Sequence, residues 1–367
     1  MSVYWNQRVK NITPYVPGEQ PKDRKFIKLN TNENPYPPSP AVIEAIQKVA
    51  GDIRQSAGGT LRLYPDPECT ELREAVAERY GIRTEQVFAG NGSDEILAFA
   101  FAAFFGDDNL LFPDITYSFY PVYADLWNVP FKTIPLKNDF SIDPGDYLGK
   151  SGGIIFPNPN APTGMALTLK ELKKIASAAE SERQVLIVDE AYIAFADKEG
   201  IGPAVPLINE FPNLLIIRTL SKEASLAGLR TGFAMGNSEL MEGLRRIRDS
   251  FNSYTLDRLA LAGAAAAVKD TGYYEKINSK VISTRRLVSS ELEALGFTVL
   301  PSQANFIFAS PPDGCGKNGR EFFTALREKG ILIRHFNKPR IENFLRISIG
   351  TDDDMDTFLT ACKTISG

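Results

Sequence analysis

Apolar residues along this chain come in two rhythms. Short runs rich in β-branched and aromatic residues signal buried strands. They lie at 109–113, 131–135, 153–156, 185–188 and 214–217, with an apolar stub at 87–89. Between them, apolar positions recur with helical spacing. One such stretch opens at Ser39-Pro40, a cap followed by proline at the first helical position, and continues through Val42, Ile46 and Val49. Others run through Leu72, Val76 and Tyr80, up to about residue 105, and over 169–179. Strands alternating with helices predict an α/β fold, a mostly parallel sheet with helices on both faces.

The rhythm changes after Gly232-Phe233-Ala234-Met235. A charged helix at 238–248, an alanine-rich one at 256–269 and a long one at 273–295 follow. Strand signals are then sparse, at 297–300, 305–309, 331–334 and 344–349, with helices at 320–329 and 352–364. This predicts a smaller α/β domain over residues 271–367. Residues 29–270 form the large domain, and residues 1–28, mixed in charge and without a period, an arm that partly packs on the small one.

Composition narrows the function classes. The chain has 367 residues, 43% hydrophobic and 23% charged, with a formal net charge of −4. That is an ordinary globular protein with no positive field to gather nucleic acid. Cys69, Cys315 and Cys362 are widely spaced and form no CxxC pair, which favours a reducing compartment. A single histidine, His335, excludes a His-rich metal site; no metal is expected, and His335 reads as structural or solvent-facing. The strongest apolar stretch, 96–105, is too short to cross a bilayer, and no apolar signal segment opens the chain. A cytoplasmic protein with no membrane partner is expected.

Candidate chemistry gathers at the ends of the strand signals. Residues 214–232 read LLIIRTLSKEASLAGLRTG: a buried run, then Ser221-Lys222, then Arg230 beside a glycine turn. Open α/β sheets place their chemistry just past buried strands. An amine, a hydroxyl and a guanidinium this close suit an anionic, covalently held cofactor. Taken alone, the segment fits a strand, a loop and surface cations equally well. Gly90-Asn91-Gly92-Ser93-Asp94-Glu95 feeds a helix and leaves amides free for an anion, although Asp94 fits a plain helix cap as well. Pro157-Asn158-Pro159-Asn160-Ala161-Pro162-Thr163-Gly164 is stiffened by three prolines and suited to holding a side-chain amide. Asp189-Glu190-Ala191-Tyr192 follows another buried run, and Asp189 is either a loop cap or a charge held in a cleft.

Asn160, Asp189 to Tyr192, Ser221-Lys222 and Arg230 together resemble the aspartate aminotransferase superfamily of pyridoxal-phosphate enzymes (fold type I) over essentially the whole chain. More finely, LNTNENPYPPSP, LRLYPDP, GNGSDEI, PNPNAPTG, RTLSKEASLAGLRTG and FLRISIG resemble the blocks of the histidinol-phosphate aminotransferase family, in its order. Two stretches depart. Glu223-Ala224-Ser225 stands where a small-aromatic-glycine run is usual, and Phe119-Tyr120 lies in a loop that varies among relatives.

The resemblance implies a seven-stranded sheet and a pyridoxal 5'-phosphate cofactor. It implies Lys222 as the residue bonded to the cofactor and the carrier of the transferred proton. Asp189 would pair with the pyridine nitrogen. Tyr192 and Asn160 would donate to the ring's phenolic oxygen, and Tyr117 would stack on the ring. Gly92, Ser93, Asp94, Ser221 and Arg230 would hold the phosphate, with Tyr64 reaching in from the other subunit of a homodimer. Arg346 would fork onto an α-carboxylate. Arg334 would meet a substrate phosphate, helped by Tyr15 or by the Asn32-to-Asn34 loop, Asn34 above all. The implied reaction is amino transfer between L-histidinol phosphate and 2-oxoglutarate, giving glutamate, in histidine biosynthesis. An aromatic amino-acid aminotransferase is the first alternative, and a catalytically silent ligand-binding relative the second.

Overall fold

The apolar runs become neighbouring strands whose side chains alternate between two faces. The structure is a computed structural model describing residues 2–21, 24–55, 60–106 and 109–367, without the side chains of 52–60. In chain order the strands are β1 Ile27–Lys28, β2 Val87–Gly90, β3 Leu110–Pro113, β4 Phe131–Ile134, β5 Ile154–Pro157, β6 Leu186–Asp189, β7 Leu214–Thr219, β8 Gly232–Gly236, β9 Thr298–Val299, β10 Phe306–Ser310, β11 Ile331–Leu332, β12 Arg334–His335 and β13 Leu345–Ser348. Seven of them form one sheet in the order β2-β8-β7-β6-β5-β3-β4. Within it only β8 runs against the rest. The fold is α/β, built on a mostly parallel seven-stranded sheet.

Both faces of that sheet are covered, which is why its strands are apolar throughout. Val188, Leu214 and Ile216 join a core with Val42, Leu72, Leu172 and Val268, from the helices Pro40–Gln55, Thr70–Tyr80, Leu169–Ser181 and Arg258–Lys269. Their neighbours Ile187, Leu215 and Ile217 join the opposite core with Leu97, Tyr120 and Met241, from the helices Gly92–Phe104, Tyr120–Trp127 and Ser238–Phe251. Each such aliphatic side chain contributes about 1.5–3 kcal/mol by leaving water.

A second sheet, antiparallel, runs β12-β13-β10-β9. It packs with the helices Gly319–Glu328 and Asp352–Ser366 around Phe306, Phe322 and Phe358. The helix Thr271–Ala294 serves both regions. Its Tyr274 and Ile277 enter the first core, and its Val281, Val288 and Leu292 the core of the antiparallel sheet. The N-terminal segment is stitched to this second region. β1 pairs in parallel with β11, and Ser348 N–H then donates to the Leu29 carbonyl at 2.9 Å.

Local readings change in three places. The run 331–334 is two strands, β11 and β12, because Ile331 and Leu332 face β1 while Arg334 faces β13. The short helices Gln7–Asn11 and Tyr120–Trp127 gave no clear periodic signal. The Ser39 hydroxyl makes no cap bond; the Ser39 carbonyl instead accepts from Val42 N–H at 3.1 Å. Among the described residues no helix is long and apolar enough to cross a membrane.

Candidate active site

Parallel strands deliver their C-terminal ends to one edge, and there the polar residues meet. Asp189 is the last residue of β6 and is 4% exposed. Its carboxylate accepts from Ala191 N–H and from the Tyr120 hydroxyl, each at 3.2 Å. Among the described residues it has no cationic partner. Burial pushes its pKa up to about 7, against the pull of these two donors, and Asp94 adds a smaller upward push.

Lys222 lies in the one-turn helix Leu220–Glu223 directly after β7. The Thr219 side chain starts that turn by accepting from Ser221 N–H at 3.2 Å. Lys222 Nζ donates to the Thr31 carbonyl at 2.9 Å. Burial lowers its pKa to about 8; Glu33 opposes this, and Arg346 and Arg230 reinforce it.

The helix Gly92–Phe104 begins beside this turn. Gly92 has φ +77°, and a Cβ there would stand 2.8 Å from an Arg230 nitrogen. The left-handed backbone favours glycine there, and the missing side chain lets the guanidinium come close. Arg230 donates to Asp94 Oδ2 at 3.3 Å and to Ser221 Oγ at 3.4 Å. The Tyr117 hydroxyl donates to Asp94 Oδ1 at 2.8 Å. The Asp94 side chain therefore ties the arginine to the tyrosine.

The antiparallel sheet supplies two more cations. Arg334 and Arg346 stand opposite each other on β12 and β13. Arg346 donates to the Asn30 carbonyl at 3.0 Å, leaves its buried Nε without a partner, and lies near the rings of Phe306 and Phe336. Burial lowers its pKa, and Arg334 lowers it further. Arg334 donates to the Val16 carbonyl at 3.3 Å. Neither makes an ion pair with a carboxylate among the described residues.

One cavity collects these groups, about 800 Å³ with the solvent at its mouth included. Tyr15, Ser93, Asp94, Tyr117, Asp189, Tyr192, Ser221, Lys222, Arg230, Arg334 and Arg346 all line it. Four expected site residues do not. Gly92 packs behind Arg230. Asn160 is buried beneath, its amide hydrogens taken by the Ile115 carbonyl at 3.0 Å and Thr163 Oγ1 at 3.1 Å, its Oδ1 unpartnered. Asn34 is turned away: its Nδ2 donates to the carbonyl of Lys222 and to Asn278 Oδ1, each at 3.1 Å, so it braces the lysine's backbone. Tyr64 is 75% exposed and stacks on Tyr254 at 4.4 Å.

Comparison with known proteins identifies the family. The family model described as aminotransferase class I and II matches residues 24–361. The chain belongs to that family. A histidinol-phosphate aminotransferase of Clostridium acetobutylicum is 54% identical over 364 residues, covering 99% of each chain. A histidinol-phosphate aminotransferase 2 of Dechloromonas aromatica is 50% identical over 369 residues, covering 100% of each. The crystal structure of histidinol-phosphate aminotransferase from Sinorhizobium meliloti in complex with pyridoxal-5'-phosphate shares the fold, with TM-score 0.85, 24% identity, and coverage of 100% of this chain and 98% of that one.

The structure also brings to the site Thr31 and Tyr120, which the sequence does not mark, and gives Asn32, expected only as part of a loop near a substrate phosphate, a different partner. Thr31 supplies the carbonyl under Lys222, and Asn32 donates to the Tyr192 hydroxyl at 3.0 Å. Both lie in the LNTNENP stretch, whose asparagines were the available signal. Tyr120 is fully buried against Asp189, and only its position three residues past Tyr117, at the head of a helix, hinted at it.

Proposed function

We propose that this aminotransferase binds pyridoxal 5'-phosphate in the cavity and transfers the amino group of L-histidinol phosphate to 2-oxoglutarate. The products are imidazole acetol phosphate and L-glutamate. One observation carries the reading: a single cavity holds a buried amine together with a carboxylate that has no cation, and two guanidiniums that have no carboxylate, among the described residues. The names of the full-length relatives support the same substrate.

The residues fit the cofactor. Asp189, buried and lacking a cation, suits a protonated pyridine nitrogen. The helix start at Gly92, Ser93 and Asp94, with Ser221 and Arg230, suits a phosphate dianion. Tyr117 offers a ring face. Tyr192 offers a hydroxyl to the phenolic oxygen. For Asn160 to donate there as well, its amide must turn and give up the Ile115 bond.

When bound, the cofactor supplies an electron sink for the carbanion formed at the substrate carbon. Lys222, with its pKa near 8, keeps part of its amine neutral around pH 7, so it can take the proton from that carbon and would carry it to the cofactor's C4′, the shift that amino transfer requires. Arg346 orients the α-carboxylate of glutamate, and Arg334 with Tyr15 orients the phosphate of histidinol phosphate. Asn34 acts through the Lys222 backbone.

The enzyme works as a homodimer in this reading, with Tyr64 reaching the partner's cofactor phosphate. Tyr64, Leu61, Leu63, Phe251 and Tyr254 are all exposed, an apolar set suited to a two-fold interface. The free thiols Cys69, Cys315 and Cys362 fit a reducing, cytoplasmic setting.

The test begins with colour. Protein mixed with pyridoxal phosphate gains near-visible absorbance, and borohydride fixes the label on the peptide holding Lys222. kcat/KM is then highest for histidinol phosphate among histidinol phosphate, histidinol, phenylalanine and tyrosine. A protein that stays colourless overturns the cofactor reading. A preference for phenylalanine overturns the substrate and leaves an aromatic aminotransferase.

A further inference from the structure

Asn32 lies in the left-handed region, φ 56°, on the segment after β1, and is 1% exposed. Asparagine tolerates that backbone better than most residues. The turn brings its backbone and side chain onto one hydroxyl. Asn32 N–H donates to Ser348 Oγ at 2.9 Å, and Ser348 Oγ stands 2.8 Å from Asn32 Oδ1. The Asn32 backbone is held in turn by Asn305, whose Nδ2 donates to its carbonyl at 3.0 Å. The far end of the Asn32 amide is 3.0 Å from Tyr192 Oη.

Counting hydrogens fixes the direction of this chain. With Oδ1 toward Ser348, the serine accepts from the Asn32 backbone and gives its one hydrogen to Oδ1. Nδ2 then donates to the Tyr192 oxygen. With the amide reversed, the Ser348 oxygen would face two donors, and its own hydrogen would have no acceptor at a residue 2% exposed. That arrangement leaves a buried donor unsatisfied and loses. In the favoured direction the Tyr192 oxygen is an acceptor toward Asn32, and its hydrogen is left for the cavity that Tyr192 lines.

We propose that Asn32 is a positioning residue: with Ser348 it forms a one-way hydrogen-bond chain that keeps the Tyr192 hydroxyl hydrogen aimed into the cavity, as a donor to the cofactor's phenolic oxygen. The inference rests on the cofactor reading above and deepens it. Ser348 is two residues from Arg346 on β13, so the strand that carries a substrate arginine also sets the polarity of a cofactor contact.

The experiment is a pH titration of the bound cofactor's visible absorbance in the holoenzyme. Tyr192→Phe removes a donor to the phenolic oxygen, leaves its charge less stabilised and raises the midpoint, by about one pH unit for one hydrogen bond. Asn32→Asp puts an acceptor where the donor was, at nearly the same shape, and turns the tyrosine's hydrogen away from the cavity. Its midpoint moves up by nearly as much. Combined with Tyr192→Phe, Asn32→Asp adds nothing further. Ser348→Ala gives a smaller rise and Ser348→Thr none, a contrast that decides the matter if the Asn32 variant does not fold. A wild-type midpoint in Asn32→Asp, a full second shift in the double variant, or equal midpoints in Ser348→Ala and Ser348→Thr overturns the chain. A wild-type protein that takes up no pyridoxal phosphate overturns the cofactor reading, and the role of the chain with it.

Discussion

The two walls of the cavity solve opposite electrostatic problems. On the wall built by the large sheet, cations and carboxylates stand together, and one pair, Arg230 with Asp94, is joined. Asp94 meets Arg230 and Tyr117, Asp189 takes donors from Ala191 and Tyr120, and Lys222 rests on a carbonyl. On the wall built by the antiparallel sheet, Arg334 and Arg346 face each other across a strand pair with backbone carbonyls and aromatic rings for company. Like charges placed directly opposite destabilise a sheet. One wall thus carries both signs of charge. The other is short of negative charge, which in the proposed reading the ligand would bring.

The sharpest break of this contrast comes from the first wall. Lys222→Ala removes the proposed proton carrier and should cut kcat by at least about 10²–10⁴-fold. The Arg230–Asp94 cradle stays in place, so the variant should still bind cofactor, reversibly and without borohydride labelling. Near-wild-type turnover would dissolve the distinction between the walls. On the second wall, Arg334→Ala and Arg346→Ala should act by substrate. Losing the charged partner of a buried anion costs roughly 2–5 kcal/mol. Arg334→Ala should spend it on kcat/KM for histidinol phosphate and spare phenylalanine; Arg346→Ala should spend it on glutamate. Equal damage to all three would mean that the arginines act as one undivided field.

A smaller effect separates the walls by stability. Asp189 has its pKa raised to about 7 from an ordinary value near 4. Below pH 4 the carboxyl is neutral in both folded and unfolded chains and costs nothing. Between pH 4 and 7 the unfolded chain ionises while the folded one holds its proton, so stability falls as pH rises. Above pH 7 the full cost remains. Cofactor-free Asp189→Asn should therefore gain thermal stability over wild type progressively from pH 4 to 7, then by a constant margin. A gain independent of pH would mean that the cost is one of packing. Arg346→Met in the second wall should stabilise the cofactor-free protein at every pH in that range, because the guanidinium stays charged throughout.

Residues of both walls were legible in the sequence, but what each one faces was not. Strand ends followed by S-K, D-E-A-Y and G-N-G-S-D sit where a parallel sheet must deliver them, and local pattern is enough to find such places. The opposition of the two arginines depended on the register of β12 with β13, which no local pattern carries. Asn34 was legible as a polar loop residue, but its target, the Lys222 carbonyl, lies 188 residues away and was not. Glu223, the departure inside the lysine block, also finds its reason only in three dimensions. It forms a buried ion pair with Arg218 of β7, and that arginine lies near the Tyr80 ring. The unusual residue therefore serves the layer behind the site.

Tyr120 offers the finest probe of how the first wall answers its own charges. The residue is fully buried, its hydroxyl 3.2 Å from Asp189 Oδ2 and its ring edge-on to Tyr117 at 5.7 Å. Tyr120→Phe keeps the ring and removes the hydrogen bond. That bond stabilises the carboxylate form, so its loss raises the Asp189 pKa further above 7. At neutral pH more of the carboxyl is then protonated and unable to accept a proton from a pyridine nitrogen. One hydrogen bond of about 1–1.5 kcal/mol should weaken cofactor binding roughly tenfold. The penalty should be greatest near pH 7 and shrink toward pH 9, where the variant's carboxyl is ionised as well. Dissociation constants for pyridoxal phosphate across that range, measured on both proteins, separate the two roles the residue could have. A ratio that falls with pH assigns the effect to the charge on Asp189. A ratio that stays level assigns it to the packing of Tyr117, and the first wall would then owe its readiness to ring geometry as much as to hydrogen bonds.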